Sequence, residues 1–319
     1  MVRRLLVAML LAVLVYAGFV FYRGIGTIGA ALATFRWSAF GVALGLVMVN
    51  YLLRFWRWEF YLARLGIRGV PKWDSFLTFF SGFVLTVTPG KVGEVFKSLV
   101  LAETHDVPAQ TTAPIVIAER LTDVIGVVVL VIIGSTAFPG GRIWGAAGAL
   151  AVVFGLFVIA SKTISERLIL LVGQAPGKLG ALAPRVRDAW QNLRNLTTPG
   201  ALFFPTLLAC ASWALEGSAL YVILSGFGAP PSPQLALFAW ATSILAGALI
   251  PVPGGLGITE GLLEQQLVRL GNVEVSAATS GMILARFATL WFAVLLGFIA
   301  LGLLRTRHPR LLTEDKQAD

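Results

Sequence analysis

Two short motifs rich in glycine and proline each interrupt an apolar stretch and end in a glutamate. They occupy residues 88–94 and 252–260. Proline removes a helical hydrogen bond and glycine allows the backbone to turn sharply. The helix that restarts after each motif is therefore expected to begin with free N–H groups and a positive dipole end. A helix start of this kind suits an anionic group such as a phosphate.

Charged side chains follow both motifs within apolar sequence. Arg120 follows Pro89 at nearly the same interval at which Arg286 follows Pro253, so the two arginines are near-equivalents. The planar guanidinium group matches the geometry of a phosphate. We therefore predict a substrate-binding site formed by Pro89, Gly90, Lys91, Gly93, Glu94, Glu119, Arg120, Asp123, Glu216, Pro253, Gly254, Gly255, Gly257, Thr259, Glu260 and Arg286.

The same charges also have a structural interpretation. Asp123 and Glu94 are candidate partners of Arg120, and Glu260 is a candidate partner of Arg286. Charged residues inside a membrane usually face the protein interior and pair with one another, so these pairs could serve only to fix the broken segments. The two interpretations are compatible if a bound ligand replaces the carboxylates as the partner of these arginines.

Other polar residues in apolar sequence allow two interpretations each. Lys91 and Lys97 flank Glu94, where they either attract an anionic headgroup or extend toward a membrane interface. Asn50 and Arg54 are either further site residues or contacts between packed helices. Both interpretations stay open at this point.

The composition indicates an integral membrane protein. Of the 319 residues, 57% are hydrophobic and 13% are charged, about half the charged fraction of an ordinary soluble domain. The single cysteine excludes an internal disulfide. The two histidines, His105 and His308, are interpreted as too few and too separated for a metal cluster. We therefore predict neither a metal nor a cofactor.

Six apolar runs approach the 20 or so residues that a helix needs to cross the hydrocarbon core. These predicted spans are residues 5–21, 38–56, 114–138, 143–160, 202–227 and 277–304. Two further stretches, 76–101 and 235–270, are split by the Gly/Pro motifs. Each either crosses as a broken span or forms a re-entrant hairpin, because irregular backbone is tolerated at membrane depth where protein buries it.

The spacing indicates an internal duplication. The interval between the two motif prolines, Pro89 and Pro253, equals the interval between Ser38 and Leu202, where two of the apolar runs start. With re-entrant hairpins the two units have opposite orientations, which is the inverted repeat common in transporters. The predicted fold is a single all-α membrane domain over residues 1–319, with six spans and two hairpins. Its halves are about 1–138 and 143–304, with a cytoplasmic connection at 162–200.

The basic residues indicate the orientation. In the hairpin arrangement, Arg120 and Arg286 are counted within spans, and four of the 25 Lys and Arg residues lie on one side. The other 25 − 6 = 19, among which Arg54 near the end of its span is counted, lie on the opposite side. The positive-inside rule then places both termini in the cytoplasm and the protein in the cell membrane. The four on the minority side are Arg23, Arg36, Arg142 and Arg269.

Four blocks together resemble the lysylphosphatidylglycerol synthase transmembrane family, also called flippase-like or UPF0104 proteins. They are residues 88–94, 119–123, 251–261 and 286–291. In the larger fused members, the resemblance implies, this region moves an aminoacylated phospholipid between leaflets while a soluble domain performs aminoacyl transfer. Only residues 305–319 follow the last predicted span here, so the implied function is lipid translocation without synthesis.

The leading hypothesis is a lipid flippase that moves a phospholipid or glycolipid with a polar or anionic headgroup. Its expected partners are the bilayer and either a second copy or a separate lipid-modifying enzyme, with no nucleic acid. The alternative is a membrane lipid phosphatase or transferase. Undecaprenyl-pyrophosphate phosphatases also combine inverted repeats and hairpins, but neither motif here supplies their serine, and no Gly-x-Ser-x-Gly or Walker sequence is present. A purely structural subunit would not need the buried charges.

Overall fold

The structure is a computed structural model, and it describes residues 18, 25–87, 94–137, 143, 146–147, 150, 191–228, 230–249, 252–309 and 311. All regular elements within these ranges are helices. The main ones are α1 (Ile25–Ala33), α2 (Trp37–Arg64), α3 (Lys72–Ser81), α4 (Phe96–His105), α5 (Ala109–Gly134), α6 (Pro199–Gly226), α7 (Pro233–Leu249), α8 (Ile258–Arg269), α9 (Val275–Arg286) and α10 (Phe292–Arg307).

The order of helices is the same in two parts of the chain. A long helix, a short helix, a break, a second short helix and a second long helix occur as α2 to α5 and again as α6 to α10. The interval between the starts of α2 and α6, the long first helices, equals the interval between the starts of α4 and α8, the short helices after the breaks. A π-helical turn, Phe287–Trp291, joins α9 to α10, so residues 275–307 form one continuous helical rod.

Packing between the two parts is reciprocal. Helix α2 packs on its counterpart α6; α5 of the first part packs on α7 of the second, and α10 of the second packs on α3 of the first. Exchanging the two parts exchanges these last two contacts and leaves the first unchanged. The two parts therefore share one interface, to which α2, α5 and α6 contribute.

The counterparts α2 and α6 run in opposite directions. The start of α2 lies against the end of α6: the Arg36 N–H donates to the Gly226 carbonyl at 3.2 Å, and the Phe35 and Phe227 rings are 4.6 Å apart. Two long helices with corresponding positions in their units are therefore antiparallel.

The two ends of each broken stretch lie side by side. In the first, His105 at the end of α4 is 3.5 Å from Asp74 at the start of α3. In the second, a Cβ atom added at Gly271 after α8 would lie 3.3 Å from both Pro231 and Leu235 near the start of α7. His308 also contacts Asp74, so the adjacent ends of the first broken stretch, here called its base, lie at the C-terminal end of the 275–307 rod. The base of the second broken stretch, at Gly271, lies near the N-terminal end of the rod.

Helix α2 has an exposed apolar face and a buried polar face. Val42, Val49 and Trp56 are exposed, whereas Arg54 and Arg57 are buried. With Asn50, also buried, the arginines follow the i, i+4, i+7 spacing of one helix face. Within the described ranges, three helices are long and apolar enough to cross a membrane: Trp37–Arg64, Gly200–Gly226 and Val275–Arg307.

Some sequence-based assignments fall outside these ranges or need correction. The predicted span at 5–21 and most of that at 143–160 lie outside the described residues. Helix α1 was not predicted, because its glycines and threonine are poor helix formers; it packs on α9. Arg54, Arg57 and Lys97 were counted among the basic residues of the cytoplasmic side, and the structure shows that all three are buried inside the protein.

Candidate functional site

A cavity of about 310 Å³ lies between the two parts of the chain. Its wall combines three arginines and two glutamates with tryptophans and apolar side chains, which come from helices and from segments beside both breaks. The polar and aromatic members are Tyr51, Arg54, Phe83, Thr86, Glu94, Arg120, Trp213, Glu216, Trp240, Thr259, Arg286 and Thr289. Charged side chains inside an apolar helical bundle are energetically costly, and for that reason they usually mark a functional site.

Glu216 on α6 is held by donors from two other helices. Asn50 Nδ2 donates to Glu216 Oε1 at 2.8 Å, Arg54 Nη2 lies 3.3 Å from the same oxygen, and Trp240 Nε1 donates to Oε2 at 3.2 Å. Arg54 also donates through Nε to Asn50 at 2.8 Å and lies over the Trp213 ring, 4.6 Å from its centroid. The network fixes the Arg54 guanidinium at the cavity wall.

Asp123 on α5 is the shared carboxylate of three arginines. Its oxygens lie 2.7 Å from Arg57 Nη1, 3.0 Å from Arg120 Nη2 and 3.6 Å from Arg54 Nη1. Trp213 Nε1 donates to it at 3.2 Å. Asp123 is 4% exposed, so these contacts compensate a charge that water does not reach.

Two equivalent ion pairs flank the cavity. Arg120 Nη2 lies 2.8 Å from Glu94, and Arg286 Nε lies 2.6 Å from Glu260. Each arginine has the same position within its helix, counted from the start of α5 or α9. The interval between the two arginines also equals the interval between the two glutamates. The pairs considered from the sequence therefore form, and they form as counterparts.

Side chains of α8 and α9 hydrogen-bond to the backbone of the second break. Gly254 and Gly255 have φ values of 60° and 68°, a left-handed conformation that glycine adopts without strain. Arg286 Nη2 donates to the Gly254 carbonyl at 2.6 Å, and the Gly257 N–H donates to Glu260 Oε2 at 2.7 Å. The N–H groups at this helix start were expected to be free to bind an anion. The N–H of Gly257 is not free, because it already donates to the Glu260 carboxylate.

Glycine also permits close packing at this break. A Cβ atom added at Gly247 on α7 would lie 2.1 Å from Thr259 Oγ1. Thr259 lines the cavity beside Gly254 and Gly255, so the close approach of α7 brings the break to the cavity wall. The π-helical turn begins directly after Arg286, and such turns often occur at functional sites.

Part of the predicted set lies elsewhere. Glu119 pairs with Lys97, with 2.5 Å between Oε2 and Nζ, and both are buried. The Lys97 ammonium lies 4.6 Å from the Trp58 ring centroid and 5.2 Å from that of Phe79. Lys97 is therefore buried and paired with Glu119, and its side chain does not extend toward a membrane interface. Pro89, Gly90, Lys91 and Gly93 lie outside the described residues.

Several residues of the cavity were not in the predicted set. Arg54 was considered only as a possible packing contact or a further site residue, and Trp213 and Trp240 were not considered. Their signal in the sequence is weak, since they lie far from both motifs. Arg54 nevertheless follows the i, i+4 spacing from Asn50, which marks a polar stripe on an otherwise apolar helix.

Comparison with known proteins identifies the family. The family model of the lysylphosphatidylglycerol synthase TM region matches residues 6–297. The chain belongs to this family. Similar curated proteins include a UPF0104 membrane protein of Methanocaldococcus jannaschii, 23% identical over 68% of this chain and 92% of that protein. Another, from Methanothermobacter thermautotrophicus, is 22% identical over 91% of this chain and 90% of its own length. The family resemblance inferred from the motifs is confirmed, and it supports a lipid-related function in a membrane.

Proposed function

We propose that this protein moves a lipid with a polar or anionic headgroup from one membrane leaflet to the other and leaves its covalent structure unchanged. The observation that carries the proposal is the convergence of Arg54, Arg120 and Arg286 on one cavity inside an apolar helical bundle. Guanidinium groups in such a setting favour phosphate or carboxylate groups. Family membership supports a lipid as the molecule that carries them.

The size of the cavity supports a headgroup rather than a whole lipid as its occupant. Its volume of about 310 Å³ is at the small end for ligand pockets. Phe83, Ile244 and Leu290 give it apolar walls beside the charges. A headgroup would occupy the cavity while the acyl chains stay in the membrane.

The ion pairs suggest how binding is linked to movement. Arg120 and Arg286 are already paired with Glu94 and Glu260, and each glutamate belongs to a break. A phosphate that takes over an arginine releases the carboxylate and with it the contact that holds the break. Binding of the headgroup would then loosen one break, and its release would let the break close again.

The topology we propose is an inverted repeat with two re-entrant hairpins. It is supported by the adjacent ends of each broken stretch and by the antiparallel packing of α2 on α6. The hairpin bases lie at opposite ends of residues 275–307, so the hairpins would enter from opposite sides of the membrane. This is the architecture expected for alternating access to a central site. Both termini would be cytoplasmic in the cell membrane.

Cysteine labelling tests this topology. In a Cys210→Ala background, Arg68→Cys before α3 and Ser232→Cys before α7 are expected to react with a membrane-impermeant maleimide from opposite faces. Both positions are exposed in connecting segments. Labelling of both from the same face would overturn the inverted arrangement, since an eight-span chain places residues 227–234 in the cytoplasm. Labelling in detergent controls for reactivity.

Reconstitution tests the transport itself. In proteoliposomes with fluorescent phosphatidylglycerol, the wild-type protein is expected to raise the rate at which inner-leaflet lipid becomes accessible to dithionite, with unchanged lipid mass. Glu94→Gln removes a charge-assisted contact worth about 1.5–3 kcal/mol and is expected to slow transport about tenfold or more. Glu274→Gln, at an exposed glutamate, is the control and should retain the wild-type rate. A modified lipid product lost in Glu94→Gln would establish the enzyme alternative instead.

A further inference from the structure

A second cluster of side chains lies outside the cavity, where the first broken stretch meets the end of the last helix. His105 ends α4, Asp74 lies in the first turn of α3, and His308 follows α10. The histidines come from opposite halves of the sequence, yet their ring centroids are 5.4 Å apart. The two histidines were interpreted as too separated for a metal cluster, and that interpretation was wrong, because the fold brings them together.

The ligand atoms converge. His308 Nε2 lies 3.2 Å and His105 Nε2 lies 3.5 Å from the same oxygen, Asp74 Oδ2. One ligand atom from each of the three residues lies within 4.8 Å of the others. Around a tetrahedral zinc ion with bonds of about 2.0–2.1 Å, neighbouring ligands are separated by roughly 3.4 Å. Two of the three separations match that value without a change of backbone.

The surrounding contacts orient each ligand. Arg307 Nε donates to Asp74 Oδ1 at 2.7 Å, which leaves Oδ2 directed at the histidines. His105 Nδ1 lies 2.8 Å from Thr104 Oγ1, which directs Nε2 inward. Hydrogen bonds from the second ring nitrogen of this kind are typical of metal-bound histidines.

We propose that Asp74, His105 and His308 bind a divalent transition-metal ion such as Zn²⁺, with water as the fourth ligand. Two histidines and one carboxylate form a borderline-soft donor set that suits zinc. Asp74 is buried, while the side chains of His105 and His308 are 14% and 27% exposed, so an ion can enter from the histidine side. The bound metal would fasten the last helix to both ends of the first broken stretch. This inference does not depend on the transport proposal.

Metal binding to the tag-free full-length protein in detergent tests the site, with Zn²⁺ alone as the probe after removal of bound metal by a chelator. The wild type is expected to bind one Zn²⁺ per chain in competition with a chromophoric chelator. With Co²⁺ it should show the intense visible absorption of a tetrahedral site. His105→Gln/His308→Gln should lose both signals, and Thr104→Val should raise the Kd about tenfold.

Controls separate a site from non-specific binding. Glu274→Gln removes an exposed carboxylate outside the cluster and should leave stoichiometry and Kd unchanged. His308→Gln alone, near the end of the described chain, is expected to keep the fold by size-exclusion chromatography and to raise the Kd at least tenfold. Weak Zn²⁺ binding that is equal in wild type and double variant would overturn the proposal, as would a Co²⁺ spectrum without tetrahedral bands. The cluster would then be a hydrogen-bonded contact only.

Discussion

Asp123→Asn is expected to destabilise the folded protein by about 3–5 kcal/mol, the usual effect of removing one partner from a buried ion pair. The substitution keeps the shape of the side chain and removes its charge. Arg57 then loses a charged contact at 2.7 Å and Arg120 loses one at 3.0 Å. Because Arg57 is 2% exposed, water does not replace the lost carboxylate. The free energy of unfolding in mixed micelles, followed by titration with dodecyl sulfate, measures the effect.

Asp106→Asn is the matched control for that measurement. Asp106 is exposed, and its φ of 54° is a left-handed conformation that asparagine tolerates well. The same chemical change at this surface position should alter the free energy of unfolding by about 0.5 kcal/mol or less. Equal stability of the two variants would show that the three arginines are compensated without Asp123.

Local sequence patterns indicated several of the contacts around the cavity. The two breaks were visible because glycine and proline have specific backbone effects, and Glu260, at the end of the second motif, was a candidate partner of Arg286 that the structure shows as its ion pair. The i, i+3 spacing of Arg120 and Asp123 brings them onto one face of α5. These inferences use distances along one helix or one repeat, which the chain geometry fixes.

Contacts between distant segments were not predictable in the same way. Arg57 on α2 meets Asp123 on α5, and Asn50 on α2 meets Glu216 on α6, which belongs to the other part of the chain. A polar residue on an apolar helix indicates an inward face, but the partner depends on how the helices pack. The two histidines show the same limit more strongly. They are far apart in the sequence, and only the packing of the 275–307 rod against the first broken stretch brings their rings within 5.4 Å.

Arg286→Lys is expected to reduce lipid transport more than tenfold while leaving folded protein in the membrane. The guanidinium makes two contacts through different nitrogens: Nε lies 2.6 Å from Glu260 and Nη2 donates to the Gly254 carbonyl at 2.6 Å. A lysine ammonium keeps the charge but does not reproduce the planar fork that spans both acceptors. Loss of one charge-assisted hydrogen bond costs about 1.5–3 kcal/mol, and each step of about 1.4 kcal/mol is a factor of ten.

Arg120→Lys gives a sharper comparison than Arg286→Lys alone. Arg120 reaches both Glu94 and Asp123 through one nitrogen, Nη2, at 2.8 and 3.0 Å, and a lysine ammonium can approximate a single point of contact. Its transport rate should therefore fall less than that of Arg286→Lys in the dithionite assay. Arg305→Lys, at an exposed arginine near the end of α10, should have no effect. Wild-type transport rates in both cavity variants would mean that the arginines only hold the breaks in place. A larger fall in rate for Arg286→Lys than for Arg120→Lys would instead show that transport depends on the guanidinium fork that joins Arg286 to the second break.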